Sequence, residues 1–277
     1  MQKISLGFST CPNDTFIFDA MVHHKIDTED LDFEVILGDV EELNNKALNN
    51  VLDVTKISYH AYSKIANNYL LLDSGSALGY KNGPLLISKK KIYSDELHDV
   101  KIAIPGLNTT ANLLLSIAFP EAKNKKEFLF SDIEDAILDN EVDAGLIIHE
   151  NRFTYKKKDL KKIIDLGEYW EKETGLPIPL GGIAVNKKLE KDLQLKINRV
   201  LKRSVEYAFK NPKSAYPYIK QHAQEMEEDV IYKHIELYVN NFTVDLGTDG
   251  RKAIEILYDK AISLGVLPKM NKQIFLT

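Results

Sequence analysis

Short apolar strands alternate with helix starts in the first part of the chain, and this alternation limits the fold more than any other feature. The hydrophobic pattern predicts strands over residues 3–8, 31–37 and 51–57. A helix start with Pro, Asp or Ser at its beginning follows each strand. Strands and helices that alternate in this way form a largely parallel sheet with helices on its faces. The sequence therefore predicts an α/β fold.

A second set of strands and helices is predicted between residues 100 and 148. Two similar strands, each introduced by Gly and Pro, lie at 83–88 and 177–185 and frame this set. We interpret them as crossings between two lobes. After residue 189 the pattern is helical only.

The predicted organisation is a discontinuous first lobe that encloses a second one. The first lobe comprises residues 1–88 and 186–277 and has a helical carboxyl-terminal part, and the second α/β lobe comprises residues 89–185. Two lobes joined in this way predict a hinged cleft between them. The lysine-rich segment 156–162 is interpreted as the solvated face of a helix.

Composition excludes several classes of protein. With 36 basic and 41 acidic residues the net charge is −5, so no nucleic-acid partner is expected. The 277 residues are 44% hydrophobic, which suffices for a packed core, yet no run approaches the ~18 apolar residues of a membrane span. Cys11 is the only cysteine, which excludes an internal disulfide and a zinc-finger site. The amino-terminal pattern lacks a secretory signal, and we expect a cytoplasmic protein.

Polar side chains gather at four junctions between a strand and a helix. In open α/β sheets such junctions bind ligands, because helix N-termini offer N–H groups and a positive dipole end. The four are residues 9–15, 55–60, 105–112 and 149–152. The alternative is that these residues only cap helices, as in any α/β protein. Because the junctions divide between the two predicted lobes, closure would bring them onto one small ligand.

The junctions contain donors for an anion and a candidate base. Hydroxyl and helix-start N–H groups at Ser58, Thr109 and Thr110 suit a carboxylate, and Lys56 either adds charge or is merely exposed. His149 follows a strand and is either a general base or a hydrogen-bonded, partly buried histidine. Cys11 is either a nucleophile or a small packing residue.

The other histidines are weaker candidates for a catalytic or metal-binding role than His149. His60 lies near a helix start, where it caps or packs, and His98, His222 and His234 are expected on the surface or on helix faces. No pair of histidines has the spacing of a zincin motif, and we expect no metal. The motifs of phosphate-binding loops, dinucleotide sites and serine hydrolases are also absent from the sequence.

Several motifs at these positions are those of a known family. They are residues 9–16 (STCPNDTF), 39–44 (DVEELN), 55–61 (TKISYHA), 73–79 (DSGSALG) and 143–150 (DAGLIIHE). Together they resemble the 1,4-dihydroxy-6-naphthoate synthases, the cyclic dehypoxanthine futalosine lyases of the futalosine route to menaquinone. The likeness extends from the first strand through the tail. Thr10 is a departure, since Pro is common at that position of the family motif.

The resemblance implies a two-lobed fold like that of type II periplasmic solute-binding proteins, and a cytoplasmic lyase with no cofactor. It implies that His149 is the proton acceptor and that Lys56-Ile57-Ser58 and Thr109-Thr110 contact the substrate. The weaker candidates for the cleft wall are Asn13, Asp14 and Asn44. The implied partner is a small carboxylate substrate, and the oligomeric state stays open.

Three alternatives remain at this point. The chorismate dehydratase of the same pathway is a related cleft enzyme. A hydrolase that depends on Cys11 would use the same junctions. A non-catalytic protein that binds a small anion would share the fold, but such receptors normally carry an export signal or a lipid anchor.

Overall fold

The strands of the computed structural model form two sheets, and the structure describes residues 1–149, 151–223, 227–270 and 273–277. The first sheet contains β1 (Gln2–Phe8), β2 (Leu31–Leu37), β3 (Val54–Ser58), β4 (Tyr69–Leu71), β5 (Ala77–Gly79) and β11 (Ile178–Asn186). Its order is β2-β1-β3-β11-β4, and β5 also pairs with β11. Strands β2 and β3 are parallel to β1, whereas β11 runs antiparallel to its neighbours.

The second sheet lies between β5 and β11 in the chain. It contains β6 (Leu85–Ser88), β7 (Ile102–Ile104), β8 (Lys125–Glu127), β9 (Ala144–Ile147) and β10 (Lys161–Asp165). Its order is β10-β6-β9-β7-β8. Strands β8 and β9 are parallel to β7, and β6 is antiparallel to both β9 and β10. Each sheet therefore has a parallel part next to strands that run the opposite way.

Helices cover both sheets. Before β11 they are α1 (Pro12–Val22), α2 (Val40–Leu48), α3 (Tyr59–Ile65), α4 (Thr110–Ala118), α5 (Ile133–Leu138), α6 (Asn151–Thr154) and α7 (Leu166–Thr174). The tail adds α8 (Lys191–Lys210), α9 (Tyr216–His222), α10 (Glu228–Tyr238), α11 (Asn241–Val244) and α12 (Gly247–Ser263). Short 3-10 turns occupy Ser94–Glu96, Phe130–Asp132 and Tyr155–Lys158. No helix in the described ranges is long and apolar enough to cross a bilayer.

The tail helices complete the core of the first sheet. Helix α8 buries an apolar stripe with helical spacing, formed by Leu193, Ile197, Val200, Leu201 and Val205. This stripe packs in one apolar cluster with β1 and α1. A second cluster contains side chains from both sheets, among them Ile57 of β3 and Leu146 of β9. Apolar packing is therefore continuous from one sheet to the other.

Each of the two predicted crossing strands belongs to a single sheet. Strand β6, predicted within the first lobe, pairs with β9 and β10 in the second sheet. Most of β11, predicted within the second lobe, lies in the first sheet. A hydrophobic pattern identifies a strand but not its neighbours, so the sheet that each of these strands joins could not be predicted from the sequence. As domain boundaries, 1–88, 186–277 and 89–185 stay a prediction.

The lysine-rich segment 156–162 is not a helix face. Its first residues belong to the 3-10 turn Tyr155–Lys158, and β10 begins at Lys161 and pairs with the edge of β6. Lys161 and Lys162 are exposed. Lysines on an edge strand are common in β-sheets, because their charge keeps the edge from pairing with other chains.

Candidate active site

A cleft lies between the two sheets, at the ends of β1, β3 and β9 and at the start of α4. Its empty space, counted out to the open mouth, is about 720 Å³. Residues from both halves of the fold line it, and they include the predicted Asn13, Asp14, Lys56, Ile57, Ser58, Thr109, Thr110 and His149. Asn44 lies behind this wall, fully buried.

A buried ion pair forms one wall of the cleft. The Lys56 Nζ atom lies 2.8 Å from Oδ1 of Asp14, and both residues are under 10% exposed. The Asp14 carboxylate also accepts bonds from Asn13 Nδ2 at 2.8 Å and from the Ser9 hydroxyl at 2.7 Å. Buried charges require this degree of compensation. Lys56 is therefore neither an exposed lysine nor an unpaired cation.

His149 lies at the end of the segment that leaves β9. Its backbone has φ 58°, in the left-handed region, which most residues other than Gly seldom adopt and which Asn, Asp and His adopt more often than the rest. The Cys11 Sγ atom lies 3.5 Å from His149 Nδ1, and the edge of the Phe130 ring packs at a centroid distance of 5.0 Å. The half-buried imidazole is thus held by backbone, thiol and ring.

A second imidazole lies behind the first. His234 of α10 is fully buried, with its ring 6.0 Å from the His149 ring and 18° from parallel. Its Nε2 atom lies 2.9 Å from Asn13 Oδ1. Because Asn13 Nδ2 donates to Asp14, Oδ1 is an acceptor, and we assign the proton to His234 Nε2.

The surroundings keep His234 neutral. Burial lowers its pKa well below 6.5, and the nearby His149 and Lys56 add to this effect. His234, which was expected on the surface or on a helix face, lies on a helix face, and that face is buried. The spacing of Val230, Ile231 and His234 indicates a buried helix face, but a helical period does not show which part of the core that face meets.

Ser58 presents its hydroxyl at the end of β3. Asn44 of α2 fixes it, because Asn44 Oδ1 accepts from the Ser58 backbone N at 3.0 Å and Asn44 Nδ2 lies 3.2 Å from Ser58 Oγ. Oγ accepts in that second bond, so its own proton can be donated into the cleft. Asn44, predicted as a weaker wall residue, instead supports Ser58 from behind.

The two threonines differ from the expectation that their hydroxyls donate to a ligand. The Thr109 hydroxyl caps α4, donating to Gly106 O at 2.8 Å and accepting from Asn112 N. The Thr110 hydroxyl donates to Leu180 O at 2.5 Å. What remains for an anion at this junction is the backbone N–H groups of the first turn of α4, which helix geometry leaves unpaired within the helix.

His60 lies outside the cleft lining, where it caps or packs as predicted. It is 9% exposed, and its Nδ1 atom lies 3.2 Å from the carbonyl oxygen of Thr109. A carbonyl only accepts, so the proton of the neutral ring is on Nδ1. Burial lowers the pKa of His60 to about 4, with the charges of Lys64 and Lys125 adding to the effect.

Taken together, the cleft offers one partly exposed imidazole, a hydroxyl donor, a helix start and apolar walls. An anion that binds at Ser58 and at the start of α4 would lie within the same cleft as the His149 imidazole. Among the described residues, no three His, Cys, Asp or Glu side chains converge as metal ligands would.

Solved structures share this architecture. A crystal structure from Archaeoglobus fulgidus superimposes with a TM-score of 0.89 and 35% identity, over 96% of this chain and 98% of that one. A Candida albicans protein described as having the generic periplasmic binding protein fold gives a TM-score of 0.73 at 15% identity, over 100% and 98% of the two chains. The protein is thus an α/β protein of the two-lobed, periplasmic-binding-protein-like class, which confirms the predicted fold class.

Comparison with sequence relatives identifies the family of this chain. Residues 4–263 match the family described as menaquinone biosynthesis. The 1,4-dihydroxy-6-naphthoate synthase of Thermus thermophilus is 40% identical over 275 residues, 99% of this chain and 100% of the relative. That of Streptomyces coelicolor is 38% identical, over 98% and 96%. The chain belongs to the menaquinone biosynthesis family.

Proposed function

We propose that this chain is a carbon–carbon lyase that converts cyclic dehypoxanthine futalosine to 1,4-dihydroxy-6-naphthoate in menaquinone biosynthesis. The observation that carries the proposal is its end-to-end identity, 40% and 38%, to two synthases that make this product by name. The motif DAGLIIHE contributes His149 to the cleft of this chain. The cytoplasmic location stays a prediction from the family resemblance.

The substrate carboxylate is assigned to the junctions of β3 and α4. Ser58 Oγ and the first N–H groups of α4 donate to it, and the positive end of the α4 dipole favours its charge. Lys56 contributes a longer-range positive potential, which its pairing with Asp14 moderates. The fused ring system packs on the apolar walls, which include Ile57, Ala77 and Leu180.

His149 is assigned as the general base. It removes a substrate proton, the electrons collapse to expel the sugar-derived fragment, and the ring that remains becomes aromatic. A neutral imidazole suits this step near pH 7. Closure of the cleft excludes water and aligns the leaving group with the developing ring. The chemistry as proposed uses an acid–base side chain and an anion site, and no cofactor.

The direct test is incubation of the purified protein with cyclic dehypoxanthine futalosine, followed by chromatography for dihydroxynaphthoate. We expect product from the wild type, and turnover at least about a hundredfold lower from His149→Asn with substrate binding retained. His98→Asn changes an exposed histidine and serves as the matched control. Chorismate is offered in parallel, since its dehydration in place of the lyase reaction would point to the related dehydratase. Wild-type turnover by His149→Asn contradicts the assigned base.

A further inference from the structure

Glu41 connects the two halves of the fold at the rim of the cleft. Its Oε1 atom accepts bonds from the backbone N and from Nδ2 of Asn108, at 3.1 and 2.5 Å. Glu41 lies in the first turn of α2 beside the first sheet, whereas Asn108 lies between β7 and α4 beside the second. Lys64 of α3 donates to Asn108 Oδ1 at 2.5 Å. Side chains from two helices of the first half therefore hold one residue of the second.

The loop before α4 is shaped to admit this carboxylate. Gly106 has φ 146°, a backbone conformation that favours glycine. A Cβ atom at that position would lie 2.6 Å from Cδ of Glu41. The backbone conformation therefore favours glycine here, and a side chain at this position would displace the carboxyl end of Glu41.

The same carboxylate reaches the proposed anion site from both sides. Its Oε2 atom accepts from Asn44 Nδ2 at 3.0 Å, and Asn44 holds the backbone and hydroxyl of Ser58. On the other side, Asn108 directly precedes Thr109, the cap of α4. Glu41 thus links the two donors that are assigned to the substrate carboxylate, one from each half of the fold.

The Glu41 carboxylate is partly buried between the two halves of the fold, and its partners compensate for its charge. Burial raises the pKa of the Glu41 carboxyl above its ordinary value, and the charge of Glu127 adds to the rise, while the bonds from Asn44 and Asn108 oppose it. If the two halves move apart, Asn108 leaves and the carboxylate returns to water. The contact is therefore specific to the closed cleft.

We propose that Glu41 is a positioning residue, whose carboxylate holds the cleft closed and sets Ser58 and the first turn of α4 at the spacing that the substrate carboxylate requires. The inference rests on the proposed function, because it takes those donors to be the carboxylate site. Glu41 itself does not line the cleft and acts through Asn44 and Asn108.

The test compares Glu41→Ala with wild type by steady-state kinetics and by small-angle X-ray scattering without substrate. We expect KM for cyclic dehypoxanthine futalosine to rise about tenfold or more, with a smaller change in kcat, because charge-assisted bonds of the closed state are lost. We also expect a larger radius of gyration. Glu42→Ala is the matched control, since the neighbouring Glu42 bonds Lys46 within its own helix, and it should behave as wild type.

Further variants separate positioning from folding. Asn108→Ala removes the side-chain bond to Glu41 and leaves the backbone bond, so its rise in KM should be smaller than that of Glu41→Ala. The double variant should be no worse than Glu41→Ala alone. If Glu41→Ala does not fold, Glu41→Gln keeps the shape and should show a smaller rise in KM. Wild-type KM and scattering in Glu41→Ala, or an equal defect in Glu42→Ala, overturn the proposal. A wild type without lyase activity refutes the proposed function. The scattering comparison then still shows whether Glu41 holds the cleft closed.

Discussion

Cys11 contacts His149, and two possible mechanisms for this cleft give the thiol different roles. The Sγ atom lies 3.5 Å from Nδ1 and 3.9 Å from Nε2 of the imidazole. A hydrolase would use this thiol as a nucleophile activated by the histidine, whereas the proposed lyase needs only the base. Cys11 is 6% exposed and lies at the N-cap of α1. In the lyase, its role is to pack against the imidazole.

Alkylation of the wild type cannot separate these roles, since an adduct on Sγ would displace His149 in either case. We expect Cys11→Ala to keep kcat within about tenfold of wild type, because a packing thiol contributes no bond to the reaction. We expect iodoacetamide to stop the wild type and to leave Cys11→Ala unaffected. A loss of about a thousandfold or more in Cys11→Ala would instead identify a nucleophile.

At the residue scale, the sequence predicted which residues lie at the cleft better than it predicted what each side chain bonds there. The strand-to-helix junctions gave Asp14, Ser58 and His149, because ligands and helix caps both concentrate there. Hydrogen-bond partners could not be predicted in the same way. The hydroxyl of Thr109 serves its own helix, and His234 reaches Asn13 across 221 residues of sequence. Such contacts depend on how helices pack in three dimensions.

At the scale of elements, the chain passes between the sheets through a close approach of two glycines. Gly83 precedes β6, and Gly167 lies in the first turn of α7. A Cβ atom on Gly83 would overlap the backbone N and Cα of Gly167. Asp165 caps α7 at this point and pairs with Arg152 at 2.8 Å, and Arg152 also donates to the carbonyl of Gly83. Hydrogen bonds and an ion pair therefore hold this crossing in place.

Gly83→Ala should destabilise the protein, because backbone on both sides must move to admit a methyl group. We expect the free energy of unfolding to fall by about 1–3 kcal/mol, the usual cost of overpacking, measured by urea denaturation. Gly38→Ala is the control, since its Cβ would meet only the end of the flexible Glu42 side chain. That variant should stay within about 0.5 kcal/mol of wild type. Equal effects in the two variants would contradict the close approach.

The elements themselves were predictable in proportion to their length and pattern. The long tail helices α8 and α12, of 20 and 17 residues, have clear apolar periods, and a helical tail was predicted after residue 189. The strands β4 and β5 are three residues each, too short for an alternating pattern to emerge. Strand β10 begins with exposed lysines, so its sequence resembles a solvated helix face. Its pairing with β6 decides its structure, and pairing is a long-range property.

For the molecule as a whole, the contact between the two halves contains a buried histidine whose protonation would destabilise the fold. His60 comes from α3 of the first half and contacts Thr109 and Thr110 of the second. Its pKa is lowered to about 4 from 6.5. In the unfolded chain the same ring takes up a proton near 6.5, so between these values the unfolded state binds more protons. His234 acts in the same direction, because its pKa is also lowered.

Stability should therefore be full above pH 6.5 and decline as the pH falls towards 4. Between pH 7 and pH 5 we expect His60 alone to reduce the free energy of unfolding by about 2 kcal/mol, measured by urea denaturation at each pH. His60→Gln cannot take up the proton, yet its amide can still donate to Thr109, so this variant should lose that part of the decline. His98→Gln, at an exposed histidine, should keep the wild-type pH dependence. An unchanged decline in His60→Gln would mean that proton uptake by His60 does not control acid stability.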